Sequence, residues 1–328
     1  MTMTLMNGIS STNALMGFVV LVAVLGILYV FYPALSISET HSKVMEKVVS
    51  TTKHGDGGKV LLSFVIPAYN EEERLPVMLD ATLASIAKHR KKIVELAQAK
   101  VKTTKSTAFE WVVVSDGSTD GTSEVVEKYG RASKGDDVWK VVTLHTNSGK
   151  GAAVRTGMLA AQGALRLMVD ADGATEFDAL LKVLEQDAPI VFGSRAHLAS
   201  QSQRTFVRTM LMYAFHFCVD LLVGSNIRDT QCGFKLFTAD VAVVLFGNLH
   251  LQRWAFDIEL VVLASQLSLD IAEVGVSWEE VEGSKLDSSK FQLALVAVGM
   301  LRDMLCVRLC YTFGIWRILT ATQEKKAQ

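Results

Sequence analysis

The chain has 328 residues, with 33 Lys and Arg against 34 Asp and Glu, so its formal net charge is −1. That balance leaves no basic footprint for a polyanion, and no nucleic-acid role is expected. Half of the residues are hydrophobic and the mean hydropathy is +0.29, high for a chain that meets only water.

In chain order, no charged side chain precedes Glu39. Leu15 to Tyr32, "LMGFVVLVAVLGILYVFY", is an unbroken apolar run of about 18 residues, long enough to cross a bilayer as a helix. It lacks the basic n-region and small-residue cleavage site of a signal peptide, so an uncleaved anchor is expected. Lys43, Lys47, Lys53 and Lys59 all follow it, which by the positive-inside rule puts the rest of the chain in the cytosol. The domain reading is a short segment over 1–13, an anchor over 14–33 and a polar linker over 34–58. A catalytic domain over 59–285 follows, then membrane-associated amphipathic helices and a tail over 286–328.

From Val60 the pattern changes to strand and helix in alternation. "VLLSFVI" reads as a strand buried on both faces, stopped by Pro67, with a helix opening at "NEEERL". "FEWVVVSDGSTDGT", "WKVVTLHTNSGKG", "LRLMVDADG" and "PIVFGSRAHL" repeat the design. Alternating strands and helices predict a parallel sheet in an α/β domain, with ligands beyond the carboxyl ends of the strands. Each unusual polar cluster falls at such an end.

Two later stretches are apolar but studded with arginine: "RTFVRTMLMYAFHFCVDLLVG", within about 200–224, and residues 290–319. Both read as helices of a membrane interface or of the core, and the second is also compatible with a further transmembrane span. The four cysteines form no C-x-x-C pair, and Cys306 and Cys310 sit at helical spacing in an apolar stretch, which predicts packing in a reducing compartment. Asp257 and Glu259 in "FDIEL" read as helix-start carboxylates that orient other groups. Trp254 reads as a packing anchor, and Cys232 as a small core residue.

The chemistry-bearing segment is Asp170-Ala171-Asp172. If the chain stays extended, the outer carboxylates point to one side. Two like charges that close call for neutralisation, and a hard cation with oxygen ligands, Mg²⁺ or Mn²⁺, supplies it. "NSGKGAAVRTG" fails the Walker A spacing and lacks the third glycine of a dinucleotide fingerprint, so ATP hydrolysis and NAD binding both lose support. Lys150 and its flanking glycines remain candidates for phosphate oxygens.

Together, "VIPAYNEEERL", "VVVSDGSTDGT", "NSGKGAAVRTGM", "VDADGAT", "GSR" and "DTQCGFKLF", in this order, resemble the family 2 glycosyltransferases of GT-A fold. More narrowly they resemble the dolichyl-phosphate sugar synthases. "GAT" after the second aspartate, and "WEEVEGSKL" without an inserted residue, are similar to the glucosyl branch; the mannosyl branch, with GDP-mannose as donor, or another polyprenyl-phosphate glycosyltransferase is the alternative. The resemblance implies a metal-dependent, inverting transfer of glucose from UDP-glucose to dolichyl phosphate. The product, dolichyl β-D-glucosyl phosphate, would serve lipid-linked oligosaccharide assembly and protein N-glycosylation at the endoplasmic reticulum membrane. It implies that Pro67, Tyr69 and Glu71 border the nucleoside and that Asp116 accepts a hydrogen bond from the base. Asp170, Ala171 and Asp172 would carry the metal and diphosphate, with Lys150 and Arg253 as further donor-site groups. Lys285 would reach the sugar or phosphates, and Asp229 would face the reaction centre as a base or a positioning group. Arg195, Arg204 and Arg208 would hold the acceptor phosphate. The partners are thus UDP-glucose, dolichyl phosphate and a lipid bilayer, and the sequence is compatible with a homo-oligomer.

Overall fold

The structure is a computed structural model that describes residues 20–35, 45–50, 60–102, 106–133, 135–196, 227–279, 281 and 290–319. Helix α1 covers residues 20–35. Then come β1 (Met45–Ser50), β2 (Leu62–Ala68), α2 (Arg74–Val101), β3 (Phe109–Ser115), α3 (Thr122–Ala132) and β4 (Val138–Leu144). These are followed by α4 (Lys150–Ala160), β5 (Leu165–Met168), α5 (Ala179–Leu184), β6 (Ile190–Ser194) and β7 (Lys235–Thr238). The chain continues through α6 (Ala239–Gly247), α7 (Phe256–Gln266), β8 (Ile271–Gly275) and α8 (Lys290–Thr312).

The strands form one eight-stranded sheet in the order β1-β4-β3-β2-β5-β7-β6-β8. The expected all-parallel sheet is instead mixed. β4, β3, β2 and β5 are parallel, but β7 runs antiparallel between β5 and β6, and β1 runs antiparallel to β4. β1 lies within the stretch expected as linker, and residues 45–50 are an edge strand because they pair with Lys140–Leu144 of β4. Pro67 does not stop β2 but pairs within it, opposite Val114. It lies past the last β2 residue that pairs with β5, where no second ladder needs its missing N–H.

Alternation along β3 explains the two-sided core. Phe109, Trp111 and Val113 point to one face, with Phe64, Trp139, Phe177 and Phe234, under α2, α3 and α5. Val112 and Val114 point to the other, with Val65, Phe192, Phe237 and Phe246, under α4, α6, α7 and α8. Trp111 and Trp139 stack with centroids 4.6 Å apart. α4 sits close to the sheet because of Gly157, where a Cβ would come within 2.5 Å of Val65 Cγ1.

Among the described residues, no helix is long and apolar enough to cross a membrane. Residues 15–19 of the apolar run lie outside them. α1 nevertheless exposes Val20, Leu21, Val22, Leu25, Ile27 and Leu28, each about half accessible. Its last turn meets the domain: Phe31 and Ala34 pack on the core, and the rings of Tyr29 and Tyr32 face the Arg302 guanidinium on α8. α8 buries Met304, Cys306, Val307 and Cys310 and exposes Leu295, Val298 and Leu301. Cys232, Cys306 and Cys310 are free and buried, as core packing requires.

Candidate active site

The ends of the parallel strands gather four loops. The β2–α2 and β3–α3 loops are laced together. Ser118 Oγ accepts from Asn70 N, Thr119 N donates to Asn70 Oδ1, Thr122 Oγ1 accepts from Glu71 N, and Asp120 accepts from Glu72 N. Asn70 takes the left-handed conformation that Asn tolerates. The effect is to leave Tyr69, 37% exposed, at the rim beside the carboxyl end of β2.

Glu71 is buried, and Arg74 grips it with both arms of the guanidinium, at 2.7 and 2.5 Å. Their i,i+3 spacing in "NEEERL" is the one sequence signal for this pair. The Glu71 hydrogen bonds hold the Arg74 pKa above its usual value against burial, and the field of Asp172 adds to them. Arg74 is therefore a fixed cation on the Asp172 side of the site that motif reading did not single out.

Asp116, at the end of β3, accepts the backbone N–H of Ser148 at 2.7 Å and of Gly149 at 2.8 Å. Burial raises its pKa above the ordinary carboxylate value, opposed by these two bonds. Whatever it does for a base, it already shapes the turn that opens α4. Gly149 in that turn has φ 102°, open to glycine and strained for other residues. From the first position of α4, Lys150 Nζ reaches Asp170 Oδ1 at 2.6 Å. Burial disfavours the ammonium, but Asp170 and Asp257 outweigh it, so the Lys150 pKa lies above the usual lysine value.

The loop after β5 presents Asp170 and Asp172 on either side of buried Ala171. Asp172 Oδ1 accepts the N–H of Ala174 at 3.0 Å, and Gly173 between them has φ 73°. Behind Asp170 the 229–233 turn fits with no spare room: a Cβ on Gly233 would fall 1.9 Å from Asp170 Oδ2. Among the described residues no group of three or more His, Cys, Asp and Glu gathers as a metal cage. Two carboxylates alone suit a hard ion that takes its remaining oxygens from a phosphorylated ligand and water.

Beneath the site, Lys235 is fully buried in β7. Its ammonium contacts Cys232 O, lies 2.8 Å from Asp257 Oδ1 and faces the Phe192 ring at 4.8 Å. Burial raises the Asp257 pKa, opposed by Lys235 and Lys150. Asp257 thus orients a buried cation, as a helix-start carboxylate was expected to do. The lysine inside the apolar run "GFKLF" was the available signal for Lys235. Burial likewise pushes the Cys232 thiol up, away from any nucleophilic role.

On the far side, Arg195 at the end of β6 forks onto Asp229, Nε to Oδ2 at 2.8 Å and Nη2 to Oδ1 at 2.9 Å, and adds its own backbone N–H. Burial would raise the Asp229 pKa, but the Arg195 contacts prevail and hold it below the ordinary carboxylate value. The Arg195 guanidinium also lies 5.5 Å from the Trp278 ring centroid. Arg253 and Trp254 line the loop against Gly149. Trp254 is no buried anchor: it is 38% exposed, its ring 5.8 Å from Lys150 Nζ. It follows Arg253 onto a loop whose apolar contacts are made by Leu251 and Ala255, both buried. The structure therefore brings Pro67, Tyr69, Glu71, Asp116, Lys150, Asp170, Ala171, Asp172 and Arg253 to one end of the sheet, with Arg195 and Asp229 beside them. Arg204, Arg208 and Lys285 lie outside the described residues.

Residues 63–242 match the glycosyl transferase family 2. A dolichyl-phosphate beta-glucosyltransferase of Homo sapiens is 45% identical over 268 residues, 78% of each chain. One of Drosophila melanogaster is 43% identical over 291 residues, covering 85% of this chain and 84% of that one. One of Saccharomyces cerevisiae is 33% identical over 302 residues, covering 86% and 84%. Among solved structures, the UDP complex of glucosyl-3-phosphoglycerate synthase from Mycobacterium tuberculosis superposes with a TM-score of 0.50 at 16% identity, over 76% of this chain and 80% of that one. That likeness concerns the fold, a GT-A-like arrangement around a mixed sheet. On sequence and fold together, the chain belongs to glycosyltransferase family 2, within the group of the dolichyl-phosphate beta-glucosyltransferases.

Proposed function

We propose that the protein transfers glucose from UDP-glucose to dolichyl phosphate, giving dolichyl β-D-glucosyl phosphate for lipid-linked oligosaccharide assembly. The observation that carries the reading is the Lys150–Asp170 pair beside Asp172, at the end of β5, in a chain of this family. A phosphate oxygen of the acceptor attacks the anomeric carbon, the bond from that carbon to the diphosphate oxygen breaks, and its electron pair leaves with UDP. One such displacement inverts an α-linked donor to a β-linked product.

The protein's part is positioning and charge. Tyr69 and Glu71 border the nucleoside, and Asp116, which holds the Ser148–Lys150 turn, accepts a further hydrogen bond from the base. Lys150 and Arg253 meet the diphosphate, where charge builds as UDP leaves. A divalent ion, Mg²⁺ or Mn²⁺, held by Asp170 and Asp172 would add Lewis-acid neutralisation of that charge. The acceptor is a phosphate monoester with a second pKa of about 6, so it is already largely dianionic at neutral pH and needs no strong base. A carboxylate engaged as fully as Asp229 is a positioning group: it fixes Arg195, which meets the acceptor phosphate together with Arg204 and Arg208. Lys285 completes the donor side.

A lipid acceptor calls for a membrane, and the exposed apolar side chains of α1 and α8 favour contact with one. We place the protein at the endoplasmic reticulum membrane, with residues 14–33 as a single anchor and the catalytic domain in the cytosol. The test is a donor panel with dolichyl phosphate. Transfer from UDP-glucose, absent with GDP-mannose and lost on chelation, is expected; transfer from GDP-mannose alone would sink the glucosyl reading.

A further inference from the structure

After α8 the chain turns back beneath the loop that joins α6 to α7. Leu319 and Asn248 exchange two hydrogen bonds, Leu319 N to Asn248 Oδ1 at 2.7 Å and Asn248 Nδ2 to Leu319 O at 2.9 Å. Buried Trp316 stacks on the His250 ring with centroids 4.1 Å apart and planes 1° from parallel. Tyr311 donates to Glu259 Oε1 at 2.9 Å. Glu259, fully buried in the first turn of α7, also accepts the backbone N–H of Leu251 at 2.7 Å and of His250 at 3.1 Å. A buried carboxylate is costly without such donors, so the loop, α7 and the 311–319 segment are bound into one unit.

The other side of this loop rests on the turn that carries Lys150. Gln252 O accepts Ala152 N at 2.9 Å. A Cβ on Gly149 would come within 2.6 Å of Gln252 O, and one on Gly151 within 2.7 Å of Leu251 O. Glycine at both positions lets the two backbones touch, and leaves no slack between them. A shift of the 248–254 loop therefore moves Gly149, Lys150 and Gly151, and with them the contact to Asp170.

We propose that residues 311–319 act as a clamp that sets the donor-diphosphate turn, with Tyr311, Trp316 and Glu259 as positioning residues that never touch the donor. This rests on the reading that Lys150 and Asp170 face the donor diphosphate. The clamp ties donor affinity to the seating of α8, the helix whose outer face is apolar.

The test measures UDP affinity by calorimetry, with MnCl₂ present, for the full chain in detergent. The variants are Tyr311→Phe, Trp316→Ala, Trp316→Phe and Lys150→Ala. Tyr311→Phe and Trp316→Ala are expected to weaken UDP binding about 5- to 20-fold, the size of one or two lost buried contacts. Donor KM should rise with them while acceptor KM holds, and Trp316→Phe, which keeps an aromatic face for His250, should restore most of the affinity. A purely structural role would lower the melting temperature and leave both KM values alone. If Tyr311→Phe and Trp316→Ala bind UDP normally while Lys150→Ala does not, the clamp is wrong and the donor reading survives. If Lys150→Ala binds normally, the donor reading fails and the clamp with it. Should Trp316→Ala not fold, hydrogen exchange at Ser148–Gly151 in Tyr311→Phe replaces it: faster exchange supports the clamp and unchanged exchange overturns it.

Discussion

Asp170 and Asp229 stand on neighbouring loops, and each faces a basic side chain, yet the two pairs are built differently. Asp170 meets one lysine through a single contact, and its carboxyl stays about one-third exposed. Asp229 is held by both arms of an arginine and by a backbone N–H, with its carboxyl mostly buried. A lysine is a flexible point charge that can move to another anion, whereas the planar guanidinium fork fixes a carboxylate in place. The Asp170 side is thus arranged for exchange of partners and the Asp229 side for rigidity.

The largest effects should come from the exchangeable side. Asp172→Asn removes a charge from the site with no compensating packing gain, and kcat should fall by two to three orders of magnitude, about 3–4 kcal/mol of transition-state stabilisation. Single-turnover assays at saturating donor check it; near-normal kcat would break the comparison at its root. Gly233→Ala follows. Its methyl group would fall onto Asp170 Oδ2, so either the carboxylate or the 229–233 turn must move. Donor KM should rise at least about tenfold, roughly 1.4 kcal/mol, measured by initial rates across UDP-glucose concentrations.

How legible these regions were in the sequence follows the same division. The Asp170 side lies at the ends of strands whose apolar runs are plain, and "DADG" and "NSGKG" announce their chemistry within a few residues. The Asp229 side and the buried pair beneath the site depend on partners far apart in the chain: Arg195 with Asp229, and Lys235 with Asp257. No local periodicity reports a buried lysine paired across 22 residues. The antiparallel β7 is not legible in the sequence, because "KLFT" is only four residues long and follows a turn, too short to show its direction. Likewise β1 has no apolar run, and only its pairing with β4 makes it a strand. Trp254 departs from the packing anchor its sequence suggests: aromatic residues usually anchor cores, and only the surrounding backbone turns this one outward.

Smaller effects test the rigid side. Asp229→Asn leaves Arg195 with a weaker partner, and the loss of charge-assisted hydrogen bonds should cost about 2–3 kcal/mol of stability. At this chain length that is a fall in Tm of roughly 3–5 °C by calorimetry. Activity of the folded fraction should drop far less than in Asp172→Asn. A large kcat loss at unchanged Tm would instead assign Asp229 a role as base.

The smallest expected effect is on the pH profile, and it separates those two roles most sharply. Arg195 holds the Asp229 carboxyl below its ordinary value. A depressed carboxylate stabilises the fold above its unfolded pKa of about 4, and that stability disappears only as pH falls through the lower folded value. Between pH 5 and 8 Asp229 is therefore always ionised and contributes no limb to either stability or rate. The acceptor monoester does titrate there, near pH 6, and its protonated form is the weaker nucleophile. The rate should thus decline on the acid side with a midpoint near that of the acceptor. Asp229→Asn should keep the same limb, displaced by less than about 0.5 unit, well within the effect of one altered neighbour. If the limb vanished in Asp229→Asn, the carboxylate would be taking a proton in the reaction, and the rigid half of the site would be chemically active after all.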